Sequence, residues 1–356
     1  MAPSAIDIPT PISDGYDPRK DTFRGPSKVA FNPAIHLNYT PPNRKYTYSE
    51  LGLPLKGTSD FGTTEPFQLC SEAAVVELRR ELLQPSTIKR RMHSWYRAPA
   101  TLRGFTEKEA PFIHAFWRSP EVHKIMEEAV GIELEFALPY EIGHTNIQLG
   151  ASGKEGVQEF PLLPEPVPAG WEEEKSVYHE VNVDDWHTDS FPYVCVLMLS
   201  NTDKMVGGET ALRMPDGSLR KLRGPTMGSC IVMQGRHMPH AALRAWNTGE
   251  RITMTCSYRP KSPALRDDTE ITNSLELSYL NELTGQFALE RFKVLKKKSE
   301  YMIAQLEKAK KDALEREPDN LDAVIMDRKA VKAMMKEMIW YLEVSMKQMK
   351  MHIDED

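Results

Sequence analysis

Hydrophobic and polar positions change period twice along this chain. Residues 71–84 carry apolar side chains at helical spacing and stop at Pro85, and a second helical stretch is predicted over residues 86–97. Thr106 and Glu109 form a capping-box pattern that predicts a further helix start. Ser119-Pro120 reads as N-cap and first helical position of the next helix, which Gly131 closes. Beyond residue 133 the period becomes two. Residues 133–149 read as strand, 194–199 and 228–233 as buried strands, and Asp216-Gly217 as a hairpin turn. The clearest alternation runs from 251 to 259. Arg251, Thr253, Thr255, Ser257 and Arg259 share one face, and Ile252, Met254, Cys256 and Tyr258 share the other. The apolar face should pack on helices or a second layer. The polar face should line an interior that holds a charged ligand, because an aliphatic core needs no such residues. From about residue 273 the helical period returns, with an apolar stripe (Leu275, Leu280, Leu283, Phe287, Leu295) interrupted near Gly285. A Met-rich helix follows over residues 321–350; it should pack on the body, the alternative being dimerisation through these helices.

Two stretches lack either period. Residues 1–66 are rich in Pro, Gly and Asp, yet Phe23, Phe31, Tyr39, Tyr46, Tyr48 and Phe61 recur through them. Disordered tails are poor in aromatics, so this arm is expected to wrap over the body from about residue 20. Residues 150–176 form a long Gly-, Pro- and Glu-rich segment just before the next strand, placed to be a lid or else a solvated insertion.

Composition narrows the class. The 356 residues carry a formal net charge of −6, which gives no argument for nucleic-acid or membrane partners. No apolar run is long enough to cross a bilayer, and the first residues lack the pattern of a signal peptide. Cys70, Cys195, Cys230 and Cys256 form no Cys-x-x-Cys pair and read as buried free thiols, consistent with a reducing, cytoplasmic location.

The candidate chemistry lies in Trp186-His187-Thr188-Asp189. In a strand, residues two apart point to one face, so His187 and Asp189 converge. A second imidazole from a later strand would complete a 2-His-1-carboxylate face, a set that leaves positions open on a metal and suits non-haem Fe(II). His237 and His240 both follow the 228–233 strand; His179 and His144 are lesser rivals.

The runs WHTDSFPYVCVLMLS, GGET and GSCIVMQGRHMPHAALRAWNTGERITMTCSYRP resemble the Fe(II)/2-oxoglutarate-dependent dioxygenases, in particular their fungal small-molecule branch, from about residue 146 to 260. The resemblance implies an α+β fold: a double-stranded β-helix (jelly-roll, cupin-like) barrel with flanking helices and a helical C-terminal extension. The domain reading is an arm over 1–66, an oxygenase domain over 67–270 with its barrel core at about 133–260, and helices over 271–356 belonging to the same unit. Carried over residue by residue, His187, Asp189 and His240 match the metal ligands, and Arg251 matches the arginine that binds the distal carboxylate of 2-oxoglutarate. Thr253 would add a hydroxyl there. Asn146 and Gln148 fall where some members place an Asn-x-Tyr pair that touches 2-oxoglutarate, with Gln in place of Tyr; a polar solvent face is the alternative. Trp186, Phe191 and Arg259 are assigned to the substrate, Arg259 through an acidic group, the alternative for it being a structural ion pair with a glutamate. The implied cofactors are Fe(II), 2-oxoglutarate and O2, with succinate and CO2 as products. The implied substrate is a small molecule, an amino acid or a natural-product intermediate, and the protein a monomer or homodimer. The rival reading is a non-oxidative cupin-like or degenerate barrel used for binding.

Overall fold

The computed structural model describes residues 26–148, 164–172, 182–224, 226–320 and 322–349. The helices that precede most of the sheet include α1 (Glu72–Leu82), α2 (Pro111–Arg118) and α3 (Pro120–Val130). The strands that build the site are, in chain order, β1 (Phe61–Thr64), β2 (His144–Ile147), β3 (Asp184–His187), β4 (Tyr193–Met198), β5 (Thr210–Arg213), β6 (Leu219–Leu222), β7 (Ser229–Met233), β8 (His240–Ala242) and β9 (Ile252–Pro260). Two long helices, α4 (Leu280–Arg316) and α5 (Arg328–Gln348), close the chain.

Local chemistry explains the boundaries. The Ser71 hydroxyl accepts from Ala74 N at 3.3 Å and starts α1. Ser119 caps α3, Pro120 sits in its first turn, and Gly131 ends it at φ 86°, a left-handed conformation. Three predicted elements are revised. The helix read over 86–97 spans only Pro85–Arg91, because Met92–His93 pairs as a strand with Thr101–Leu102. The Thr106–Glu109 box forms, with Thr106 N donating to Glu109 at 3.0 Å, but it closes a turn and the helix begins at Pro111. The strand read over 133–149 splits into Leu134–Phe136 and β2 around a turn at Pro139–Glu141, where proline has no N–H to give a ladder. Conversely, α4 runs through Gly285 without interruption.

The strands form two antiparallel sheets. The larger runs Lys45–Thr47, β1, β7, β4, β9, β2, Thr101–Leu102, Met92–His93, and the smaller runs β6, β5, β8, β3. Among the described residues no ladder joins the two; they line a common cavity. On the outer face of the larger sheet, Ile252, Met254, Cys256 and Tyr258 of β9 join Leu197 and Cys195 of β4 in one core with α1, α2 and α3. On the inner face Arg251, Thr253, Thr255 and Ser257 line the cavity, as the alternation predicted. All four cysteines are buried and free.

From residue 26 onward the N-terminal segment packs on this body. Phe31 packs edge-on against Phe112 and Phe116, and Lys45–Thr47 extends the larger sheet beyond β1. At the other end, Lys298 of α4 holds Glu337 of α5 at 2.7 Å, and Tyr341 donates to Asp267 at 2.9 Å. Asn273, Ser274 and Leu277, from the turn before α4, reach the cavity itself. No helix among the described residues is long and apolar enough to cross a membrane.

Candidate metal centre

His187 ends β3 and His240 begins β8, and the two are register partners across the smaller sheet. Their rings lie 4.3 Å apart between centroids. Each ring is oriented by a backbone carbonyl two residues earlier in the chain. His187 Nδ1 donates to Asp185 O at 2.5 Å and His240 Nδ1 donates to Met238 O at 2.9 Å. That places the proton on Nδ1 and frees the Nε2 lone pair of both rings. Both Nε2 atoms lie 3.5 Å from the same oxygen, Asp189 Oδ1. The three ligand atoms fall within 4.8 Å of one another, and among the described residues no other His, Cys, Asp or Glu group is so arranged.

Asp189 is held by the backbone as well: its N–H donates to Gly235 O at 2.9 Å. A Cβ at Gly235 would stand 1.8 Å from Asp189 Oδ2, so the carboxylate occupies space that only glycine leaves. Asp189 Oδ2 is buried without a hydrogen-bond partner among the described residues. Burial works against the Asp189 carboxylate, but His240 and His187 outweigh it and hold the acid well below the usual range. Burial likewise works against the His240 cation, and Asp189 outweighs it in the other direction. A carboxylate whose Oδ1 faces two imidazoles with free Nε2 atoms fits a divalent cation of the Fe(II) type.

The metal candidates line a cavity shared with Asn146, Phe191, Arg251 and Thr253. Arg251, 1% exposed, lines its far end. Its Nε donates to Gly208 O at 2.9 Å and its Nη1 to Thr253 Oγ1 at 3.4 Å. Among the described residues no carboxylate forms an ion pair with it. Burial brings its pKa down to about 10, which leaves it a cation at neutral pH. A buried cation of this kind calls for an anionic ligand.

The remaining sequence candidates divide. Asn146 lines the cavity opposite Thr253 and donates to Asp184 at 3.2 Å, while its Oδ1 has no partner. Phe191 lines the cavity, backed by Tyr140 and Phe287. Gln148 is not a cavity residue. Its amide bonds both ways to the backbone of Ala245, at 2.9 and 2.7 Å, and so is used up. Trp186 faces away from the cavity, because neighbours in a strand alternate; it packs against Ala211 and Ala241 with Arg213 4.2 Å above its ring. Arg259 also lies off the cavity. Glu135 at 2.9 Å and Glu290 of α4 at 2.7 Å take its guanidinium, so the structural ion pair replaces the substrate contact. His237 pairs with Asp268 at 3.0 Å, away from the triad. His144 lines the cavity with Nε2 unpartnered, and burial beside Arg103 keeps it neutral. His179 and most of the predicted lid lie outside the described residues.

Sequence reading missed the cavity residues Arg97, Arg103, Glu141 and Asp184. The first three lie in irregular segments that no period marks. Asp184 had a signal, a carboxylate three residues before His187, and it stands 3.6 Å from that ring.

No family model matches the chain, and no curated protein does. Several solved structures are similar to it at low identity. An oxidoreductase of that family from Burkholderia pseudomallei is 11% identical over 45% of this chain and 65% of its own, with a TM-score of 0.30. A Pseudomonas putida prolyl-4-hydroxylase is 14% identical over 53% of this chain and 86% of its own, at 0.31. The non-haem alpha-ketoglutarate-dependent epimerase SnoN from nogalamycin biosynthesis is 11% identical over 53% and 74%, at 0.34. These likenesses do not bear on the fungal branch. The functional reading rests on the site's own geometry.

Proposed function

We propose that this chain is a non-haem Fe(II)/2-oxoglutarate-dependent oxygenase, built on a jelly-roll fold, that oxidises a small organic substrate. One observation carries the reading. Two imidazole Nε2 atoms stand at equal distance, 3.5 Å, from one carboxylate oxygen, in a cavity that also holds a buried arginine with no ion-pair partner among the described residues.

His187, Asp189 and His240 would hold the metal. When bound, the iron supplies the redox chemistry that couples loss of CO2 from 2-oxoglutarate to oxidation of a substrate C–H bond. The chain's own residues do the positioning. The carbonyls of Asp185 and Met238 fix the tautomers, and Asp189 supplies the charge that favours a cation over a proton. Arg251, with Thr253 beside it, receives the distal carboxylate in a fork that lysine would not reproduce. Phe191 walls the cavity with apolar surface, which strengthens charge interactions inside.

The test is an anaerobic spectrum of the protein with Fe(II), before and after 2-oxoglutarate. A visible charge-transfer band on adding 2-oxoglutarate is expected, and its loss in Arg251→Met at sub-saturating 2-oxoglutarate should follow. Tight metal binding with no such band at any 2-oxoglutarate concentration would point instead to a non-oxidative metal-binding barrel.

A further inference from the structure

Asp189 is carried on no strand. β3 ends at His187 and β4 begins at Tyr193, so this metal candidate stands in the irregular connection between them. No sheet ladder fixes it there, yet metal–ligand distances tolerate only about 0.2 Å. The hydrogen bonds made by the backbone of residues 188–190 show what holds it.

Those bonds lead to two places. Asp189 N donates to Gly235 O at 2.9 Å, in the turn after β7. The carbonyls on either side of Asp189 turn elsewhere. Thr188 O accepts from Asn273 Nδ2 at 2.8 Å, and Ser190 O accepts from Glu270 N at 2.8 Å. Both donors belong to the segment that leads into α4, outside the strands that build the site. Asn273 also lines the cavity.

That segment is itself pinned from two directions. Arg236, in the turn after β7, pairs with Glu270 at 2.8 Å. From the other side Gln348, the last residue of α5, offers Oε1 to Ile271 N at 2.9 Å and to Thr272 Oγ1 at 2.8 Å. Tyr341 of the same helix holds Asp267. Gln348 thus braces the two residues immediately before Asn273. One path of hydrogen bonds runs from α5 through residues 271–273 to the Thr188 carbonyl, between His187 and Asp189.

The residue type suits its place. A carboxamide donates to a carbonyl without adding charge. Lysine or arginine at 273 would set a cation beside the metal candidates, and aspartate would face the Thr188 carbonyl with a second acceptor.

Resting on the metal-centre reading above, we infer that Asn273 is a positioning residue: it fixes the Thr188 carbonyl, and with it the spacing of His187 and Asp189, while α5 fixes Asn273 through Gln348. The C-terminal helices are part of the construction of the site as well as its cover.

The experiment strips the full chain of metal with a chelator and titrates it anaerobically with Co(II), whose visible absorption reports ligand geometry. Asn273→Leu keeps the size and removes the donor. It should weaken Co(II) binding roughly 10–100-fold, the usual effect of losing a group that orients a ligand, and alter the visible spectrum at saturating metal. Asn273→Gln retains an amide donor and should bind about fivefold or more tightly than Asn273→Leu. Gln348→Ala lies in a helix that contributes no cavity residue among those described, and should weaken Co(II) binding by roughly threefold or more with the same spectral change. It also decides the matter if Asn273→Leu does not fold. Thermal melting of the metal-free proteins separates positioning from stability, since a merely structural role lowers the melting temperature and leaves the spectrum of the bound metal unchanged. A wild-type spectrum in Asn273→Leu or in Gln348→Ala, or no recovery in Asn273→Gln, overturns the inference. Failure of the metal reading is visible separately, as absence of Co(II) binding by the wild-type chain, and would take the inference with it.

Discussion

Gly235→Ala is the sharpest perturbation of the proposed centre, because it adds one methyl group and removes nothing. The new Cβ would meet Asp189 Oδ2 at 1.8 Å, Cγ at 2.8 Å and Cβ at 3.2 Å. Gly235 is not in the left-handed region, so the backbone itself tolerates alanine. The strain falls on the Asp189 side chain. It cannot retreat with its backbone, since Asp189 N is bonded to Gly235 O at 2.9 Å. Reaching an ordinary 3.4 Å contact requires the oxygen to move by about 1.6 Å, the difference from 1.8 Å. Metal–ligand distances tolerate only about 0.2 Å. Disturbing the groups that orient a ligand commonly costs 10–100-fold in metal affinity, about 1.4–2.7 kcal/mol, and the larger figure is expected here. The assay is anaerobic calorimetric titration with Fe(II), alongside thermal melting without metal. Gly285→Ala is the control, since its Cβ meets nothing within 4 Å in the middle of α4. It should stabilise by about 0.5–1 kcal/mol and leave metal affinity alone. Wild-type Fe(II) affinity in Gly235→Ala would refute the assignment of Asp189 as a ligand held by that turn.

His187→Ala, Asp189→Ala and His240→Ala should each abolish stoichiometric Fe(II) binding in the same titration, whereas His237→Ala, whose ring serves Asp268, should retain it. Arg251→Met should weaken 2-oxoglutarate binding by roughly a hundredfold, near 3 kcal/mol, since it unpairs a buried carboxylate; an unchanged Kd would move that role elsewhere. Arg259→Met should lower stability by roughly 2–4 kcal/mol in chemical denaturation and leave substrate and co-substrate affinity unchanged. Gln148→Ala should cost about 1–3 kcal/mol of stability by orphaning the Ala245 backbone, with no change in 2-oxoglutarate Kd.

The parts legible in the sequence are those where one local rule decides. Ser119, Pro120 and Gly131 delimit a helix because capping and φ preference act within a turn. The face of β9 is legible because alternation leaves only two choices. Asp216-Gly217 makes its hairpin between β5 and β6 for the same kind of reason, with Gly217 at φ 83°. What was misread depends on partners far along the chain. Residues 92–93 look helical until Thr101–Leu102 arrives beside them as a strand. Gln148 shares the inward parity of Asn146, yet Ala245 engages its amide from a distant segment. Arg97 and Arg103 sit in loops whose positions are set by Asp184 and Glu141, so no window of sequence shows them near the metal candidates.

Arg251 and Arg259 show where this limit lies. They stand eight residues apart on the same face of one strand, and alternation alone treats them identically. Their surroundings do not. Level with Arg259 the strand is flanked by Leu134–Phe136, which brings Glu135, and by α4, which brings Glu290. Two carboxylates pair with that guanidinium, and Asp267, followed by Glu135 and Glu290, holds its pKa above the ordinary arginine value although burial opposes it. Level with Arg251, the hydrogen-bonded neighbours are a carbonyl and a hydroxyl, and Glu209 and Asp184 act on its charge without forming an ion pair. Burial there is as deep, and among the described residues no carboxylate forms an ion pair with it. A protein gains little stability by burying a cation without an ion-pair partner, so the deficit at Arg251 is meaningful where the surplus of acids at Arg259 is not. The first arginine is completed by a ligand and the second by the fold.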